Sequence, residues 1–240
     1  MAESIRALLE EFSKKIISGV AFFDRDVEQR VHEQATLSSA HYVLDHMLMA
    51  RPFRQRQHSG NGHLELLEHA LSLVRTEGFY GEFGVHKGES LAFIAARIDK
   101  VVYGFDSFEG LPDAWSPAVG RGAFGLNGKP PTLSQILFRN FRLVHGLFRD
   151  TLPSFAAQVP EPAAFLHVDC YLYESTKDIL DNLGDRIGPG TVIVFRQYFN
   201  FPGWQSQQFR AFQEFCARTG LTYAYVGYVA TGSSVAVVVQ

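Results

Sequence analysis

The period of the apolar positions changes once along this chain, near residue 75. Before that point they recur at helical spacing. Leu8, Leu9, Phe12, Ile16 and Ile17 share one helical face, and further helices are predicted over residues 37–49 and 64–76. The polar run RQRQHSGNG at 54–62 reads as a loop between them. Beyond residue 75, short apolar runs alternate with helical ones. Strands are predicted at 79–85, 101–105, 142–145, 164–168 and 191–195, and helices at 90–98, 133–138, 176–186 and 208–219. That alternation builds βαβ units and a parallel sheet. The chain ends in two β-rich runs, 222–229 and 233–239, joined by Ala230, Thr231 and Gly232 as a closing antiparallel hairpin. The expectation is an α/β fold with a mostly parallel seven-stranded sheet in residues 76–240. The helical region 1–75 is expected to act as a lid and substrate region, because ligands of such sheets bind at the carboxyl ends of the strands.

Composition narrows the partners. A chain of 240 residues with 46% hydrophobic side chains can bury one large core. The net charge is −3 and Lys and Arg are scattered, so no basic stripe argues for nucleic acid. No apolar run approaches the roughly 20 residues that span a membrane. The start, MAESIRALLEEFSKK, lacks the apolar centre of a signal peptide, so a cytoplasmic location is expected. Cys170 and Cys216 have no metal-type spacing and read as buried free thiols in a reducing compartment.

The chemistry sits at the ends of the predicted strands. GEFGVHKGES at 81–90 is a strand, a glycine-bearing turn and a helix start. Gly84 and Gly88 permit close backbone approach to a ligand, and the helix opening at Ser90 offers free N–H groups. The spacing is not G-x-G-x-x-G, which disfavours a dinucleotide; an ordinary βα turn remains the alternative. Asp106 ends the second strand about 20 residues further on, where an acid accepts bonds from ribose hydroxyls. A lone acid there is otherwise a helix cap, and its pairing with the glycine turn favours the ligand.

Five segments carry a resemblance: GEFGVHKGES, GFDSFEGLP, GLFRDTLP, HVDCYLYEST and PGTVIVFRQYFNFPGWQ. In this order they resemble the macrocin/mycinamicin O-methyltransferase family, class I S-adenosylmethionine enzymes of antibiotic sugar biosynthesis. The resemblance covers about residues 76–240 and reaches the N-terminal region only loosely, through Gln34, Ala35, Thr36 and Leu37. It implies a Rossmann-like class I methyltransferase fold with S-adenosylmethionine as cofactor. Glu82 and Gly84 would sit by the methionine part, and Asp106 and Ser107 by the ribose. Gly146, Phe148 and Asp150 would lie near adenine, with Asp169 at the pocket floor. Trp115 is a candidate adenine cover or a loop-packing residue. Because relatives are often oligomeric, a homodimer is expected on that basis alone.

The family usually reads H-V-D-C-D-L-Y and V-F-D-E/D-Y, and the acidic residues hold a magnesium ion that binds and acidifies substrate hydroxyls. Here Tyr171 stands at the first ligand position, and Arg196 and Gln197 at the acidic pair; Gln207 and Gln208 follow in a region often acidic in relatives. Hard magnesium needs oxygen ligands, and a guanidinium repels it, so no metal is expected. Three uses of the cofactor stay open: metal-independent methyl transfer to a small biosynthetic intermediate, closure of the methionine part on itself to azetidine-2-carboxylate and methylthioadenosine, or binding without catalysis. Tyr171, His86, His145 and His167 are candidate bases, although His167 also reads as a core histidine. Arg196 is suited to a substrate carboxylate. Tyr171, Tyr173, Tyr198 and Phe199 supply rings for a sulfonium. Tyr171, Arg196 and Tyr198 are the expected catalytic set.

Overall fold

The computed structural model describes residues 25–54, 61–131 and 140–240. The predicted helical face of Leu8 to Ile17, most of the polar run 54–62 and the predicted helix 133–138 lie outside them. The first described helix, α1, spans Arg25–His46, followed by β1 at Arg51–Phe53 and α2 at Gly62–Leu73. The core then alternates β2 Phe79–Phe83, α3 Glu89–Ala95, β3 Val102–Asp106, β4 Phe141–His145, α4 Phe148–Gln158, β5 Ala163–Val168 and α5 Tyr173–Leu183. It closes with β6 Val192–Phe195, α6 Gln208–Thr219, β7 Tyr223–Val229 and β8 Val235–Val239.

All eight strands form one sheet in the order β1-β7-β8-β6-β5-β2-β3-β4. Only β8 runs antiparallel to its neighbours, so the expected hairpin is present in a mostly parallel sheet. The expected count of seven is corrected to eight: β1 adds to the edge, parallel to β7, with Phe53 paired to Val229. Three residues, one of them proline, have no alternation to read, and an edge position tolerates the missing proline N–H.

Helices cover both faces. On one, Leu66, Leu67 and Ala70 of α2 and Leu91 and Ile94 of α3 pack on Phe165, Val192 and Val194. On the other, Leu152 and Phe155 of α4, Ile179 and Leu183 of α5 and Phe212 and Phe215 of α6 pack on Leu166, Val168, Ile193 and Phe195. Central strands covered on both faces read as continuous apolar runs. Glu82 in β2 and His167 in β5 break those runs, and they are cross-strand partners in register.

The described residues of the expected lid and substrate region divide between two places. Helix α1 packs on the loop after β6: the Tyr42 ring lies 5.4 Å from Trp204 and 5.2 Å from Phe209, the Trp204 indole donates to Ser38, and the Ser39 hydroxyl accepts from the Asn200 amide. It lines no part of the main cavity, whereas α2, part of the sheet's covering layer, places His63 and Leu64 in the cavity wall.

Candidate active site

Chain order runs outward from β2 to β3 and β4, then crosses to β5 and β6 on the other side. The crevice beyond the carboxyl ends of β2 and β5 is the switch point where ligands bind in such sheets. A cavity of about 910 Å³ opens there, lined by Gly84 after β2, Asp106 and Ser107 after β3, Gly146 after β4 and Asp169 to Tyr171 after β5. That volume suits a cofactor with room for an acceptor.

The glycine turn is built as the sequence predicts. Gly84 has φ 100, and a side-chain carbon on it would stand 2.0 Å from the Asp169 carbonyl oxygen, so only glycine fits. Gly88, at φ 81, caps α3 without lining the cavity. The Asp106 carboxylate accepts from the backbone N–H groups of Val85 at 2.8 Å, His86 at 2.7 Å and Phe108 at 2.7 Å. It thereby fastens the turn after β2 to the loop after β3. Of roughly four acceptor positions on a carboxylate, three are taken, and one is left for a ligand hydroxyl.

Other expected residues divide by position. Ser90, Ser107 and Phe148 line the cavity. Asp150 does not: it faces solvent in the first turn of α4, whose Phe148 ring turns inward against Phe83 at 5.8 Å. Glu82 is also outside the wall, completely buried, with Oε1 2.8 Å from His167 Nδ1. Tyr198 is corrected most strongly. It is fully buried beneath α6, its hydroxyl 2.7 Å from that of Tyr225 and accepting from Gln213 at 3.0 Å, away from the cavity. Phe199 is likewise core, and His145 points its Nε2 at the Ser107 carbonyl at 3.0 Å. His86 and Tyr173 do line the cavity, but the Tyr173 hydroxyl is committed to Glu214 at 2.6 Å.

Tyr171 and Arg196 remain in the wall. Tyr171 has φ 64, and the Leu172 amide donates across it to the Cys170 carbonyl at 2.7 Å. A three-residue turn of this kind is strained, and such strain clusters at functional sites. Its ring stacks on Phe124 at 5.0 Å and meets the edge of Trp115 at 5.1 Å. Burial, aided by the Asp169 charge, pushes the phenol above its ordinary value, so the hydroxyl stays protonated at neutral pH and is a poor base. Trp115 thus packs on Tyr171 and stands outside the cavity wall.

Where the resemblance would place a carboxylate cluster, Asp169 meets nitrogen donors. Gln197 Nε2 donates to Oδ1 at 3.0 Å, and Arg196 Nε lies 3.8 Å from Oδ2. The Arg196 guanidinium also donates to Ser234 at 3.2 Å. Gln207 and Gln208 are structural: Gln207 accepts from the Tyr173 amide, and Gln208 accepts from the Gln197 amide while donating to the Val168 carbonyl at 3.3 Å. Among the described residues no group of three His, Cys, Asp or Glu side chains is arranged to hold a metal ion. Sequence reasoning missed Asn61 and His63 in the cavity wall. Asn61 had a signal, as a helix cap that accepts from the His63 amide at 3.2 Å. His63 had none, because its partner is 104 positions away.

A parallel sheet ending in one antiparallel strand, with a glycine turn and an acid flanking its switch-point cavity, defines the class I S-adenosylmethionine-dependent methyltransferase plan. The comparisons agree. A methyltransferase-domain family matches residues 82–198. The 8-demethyl-8-(2,3-dimethoxy-alpha-L-rhamnosyl)-tetracenomycin-C 4'-O-methyltransferase of Streptomyces olivaceus is 28% identical over 223 residues, covering 82% of each chain. The crystal structure of the calicheamicin methyltransferase CalS11 superposes with a TM-score of 0.61 at 23% identity, over 76% of this chain and 80% of that one. The O-methyltransferase NovP gives 0.58 at 22% identity, over 72% and 78%. The chain carries an S-adenosylmethionine-dependent methyltransferase domain on the class I fold and is similar to O-methyltransferases of antibiotic pathways. No helix among the described residues is long and apolar enough to cross a membrane.

Proposed function

We propose that this enzyme methylates a hydroxyl of a small secondary-metabolite intermediate without a metal ion. The observation that carries the reading is the environment of Asp169, whose carboxylate is held by Gln197 and faced by Arg196. One carboxylate beside an amide and a guanidinium is not a donor set for magnesium, which takes several oxygen ligands and is repelled by a cation. S-adenosylmethionine supplies an electrophilic methyl group when bound. The chain's own part is to position: Asp106 and the Gly84 turn shape the cofactor end, and Tyr171 with Phe124 forms an aromatic wall. An aromatic face attracts a sulfonium by about 0.5–2 kcal/mol. The Streptomyces olivaceus relative is named for 4'-O-methylation of a rhamnosyl tetracenomycin, which makes rhamnosylated small molecules the first acceptors to try. Turnover, read as S-adenosylhomocysteine by mass spectrometry, is expected to survive excess chelator and to gain nothing from magnesium. Turnover that chelator abolishes and magnesium restores refutes metal independence.

A second reading has its own support. Tyr171 and Phe124 present rings to the cavity with Trp115 packed behind Tyr171, and a cofactor held that way needs no second substrate for its amine to attack its own γ-carbon. Incubation with cofactor alone separates the two: azetidine-2-carboxylate, released with methylthioadenosine, appears only if the ring closes, and S-adenosylhomocysteine only if an acceptor is present.

A further inference from the structure

Two ionisable side chains interrupt the central strands, and they are joined into a longer chain. Glu82 Oε1 lies 2.8 Å from His167 Nδ1. His167 Nε2 lies 3.1 Å from Nε2 of His63, in the first turn of α2. His63 Nδ1 lies 3.1 Å from the Ser234 hydroxyl, which accepts from Arg196 and lies 3.1 Å from the Arg196 carbonyl oxygen. Glu82, His167 and Ser234 have no exposure, and His63 has 4%. His63 and Arg196 stand in the cavity wall at one end, and Ser90, whose side chain favours the charged form of Glu82, stands in it at the other. Apolar residues of similar size would fill this layer without the desolvation cost, so a buried chain of this kind calls for a role.

Its hydrogens can be counted. Two nitrogens 3.1 Å apart share one proton, so with both rings neutral only two arrangements satisfy the chain. In the first, Ser234 donates to His63 Nδ1, His63 Nε2–H donates to His167 Nε2, and His167 Nδ1–H donates to a charged Glu82. In the second, a protonated Glu82 donates to His167 Nδ1, His167 Nε2–H donates to His63, His63 Nδ1–H donates to Ser234, and Ser234 donates to the Arg196 carbonyl. Every direction is reversed, and the second state holds one more proton.

We propose that His63, His167 and Glu82 form a proton wire that takes up the proton lost by the acceptor hydroxyl, with His63 as the cavity end and Glu82 as the store. The inference rests on the reading of metal-free methyl transfer. The acceptor oxygen's lone pair forms the O–CH3 bond as the S–CH3 bond breaks, and that pair stays on sulfur. The hydroxyl proton passes to His63 Nδ1, directly or through the Ser234 hydroxyl; the His63 Nε2 hydrogen moves to His167, and the His167 Nδ1 hydrogen moves to Glu82. A sulfonium and a carboxylate become a thioether and a carboxylic acid, so charge balances. The direction is set by the surroundings. Burial raises Glu82, with the Asp169 charge adding to it, while His167 and Ser90 oppose; burial lowers His63, and His167 and Arg196 lower it further. The proton therefore leaves His63 for Glu82 rather than resting on the ring. Glu82 Oε2 has no hydrogen-bond partner, as suits a carboxyl that spends part of the cycle neutral.

The test needs no acceptor. The protein is labelled with 15N-histidine, and the His63 and His167 tautomers are read by NMR in complexes with S-adenosylmethionine and with S-adenosylhomocysteine. In parallel, calorimetry in two buffers of different ionisation enthalpy counts protons exchanged on binding each ligand. Expected is a joint switch of both tautomers between the complexes, with S-adenosylhomocysteine binding taking up more protons than S-adenosylmethionine binding. Glu82→Gln, an isosteric neutral change, should erase both differences. Identical tautomers and equal proton counts in the wild-type complexes overturn the wire and leave a structural network. Formation of azetidine-2-carboxylate in the same tube instead overturns methyl transfer, and the wire's role with it.

Discussion

Replacing Asp106 by alanine tests whether the acid is a ribose acceptor, a structural clasp or both. Its two oxygens take three backbone N–H groups at 2.7–2.8 Å. Hydrogen bonds to a charged group contribute about 1.5–3 kcal/mol each, but a half-buried turn lets water recover part of that, so the expected loss of stability is about 2–4 kcal/mol. His86 holds φ 48 in the same turn and loses its anchor. Since Gly84, Val85 and His86 all line the cavity, cofactor affinity should fall at least about tenfold, a change of about 1.4 kcal/mol. Asp106→Asn is the discriminating variant. Its single oxygen can keep Val85 and His86, while its NH2 group then faces the Phe108 N–H, donor against donor. About 1–2 kcal/mol should be lost, with affinity intermediate. Urea melts and calorimetry with S-adenosylmethionine read both quantities. Weaker binding with an unchanged melt would reduce Asp106 to a ribose acceptor, and no change in either would refute the clasp altogether.

Changes at Tyr171 and Gly84 probe the aromatic wall and the glycine turn. Tyr171→Phe keeps the ring on Phe124 and should hold cofactor affinity within about twofold, whereas Tyr171→Ala should weaken it about tenfold, since a stacked ring and its cation–π contact are removed together; equal affinities in calorimetry would show that the ring only fills space. Gly84→Ala places a carbon 2.0 Å from the Asp169 carbonyl at φ 100 and should cost about 3 kcal/mol or more, read as a fall in the urea midpoint; a loss below about 1 kcal/mol would mean that the two strand ends can separate.

Local signals were legible in the sequence, and tertiary ones were not. The glycine turn, Asp106 and the central strands are each written within a few residues, and they stand where the pattern puts them, although β2 stops at Phe83 because Gly84 turns the chain at φ 100. Helix α1 begins at Arg25, ahead of the expected residue 37, because its first turns are polar and have no apolar period to read. What holds it is Tyr42 against Trp204 and Phe209, residues more than 160 positions away. Tyr198 follows Arg196 and Gln197 in a run of aromatic residues, which gave no way to tell core from cavity. The backbone does: Tyr198 donates its amide to the Ser233 carbonyl at 2.8 Å, Asn200 takes φ 63, and the ring goes under α6.

The replaced metal positions argue for a rebuilt site rather than an eroded one. Loss of an ion from a carboxylate cluster would leave like charges facing one another, and loss of the carboxylates alone would leave unpaired polar groups beside the strand ends. Neither is seen. Asp169 keeps its charge and finds an amide and a guanidinium, Arg196 reaches on to Ser234, and Gln208 closes the gap between Gln197 and Val168. Tyr171 fills its place through a strained turn that only packing against Phe124 and Trp115 sustains. Removing the metal also removes the means of acidifying an acceptor hydroxyl, and methyl transfer to oxygen still releases a proton. On the far side of Arg196, through Ser234, stand the two imidazoles and the buried carboxyl that can take it. The Arg196 guanidinium and the buried chain meet at the Ser234 hydroxyl, so in the proposed metal-free reaction the two belong to a single device.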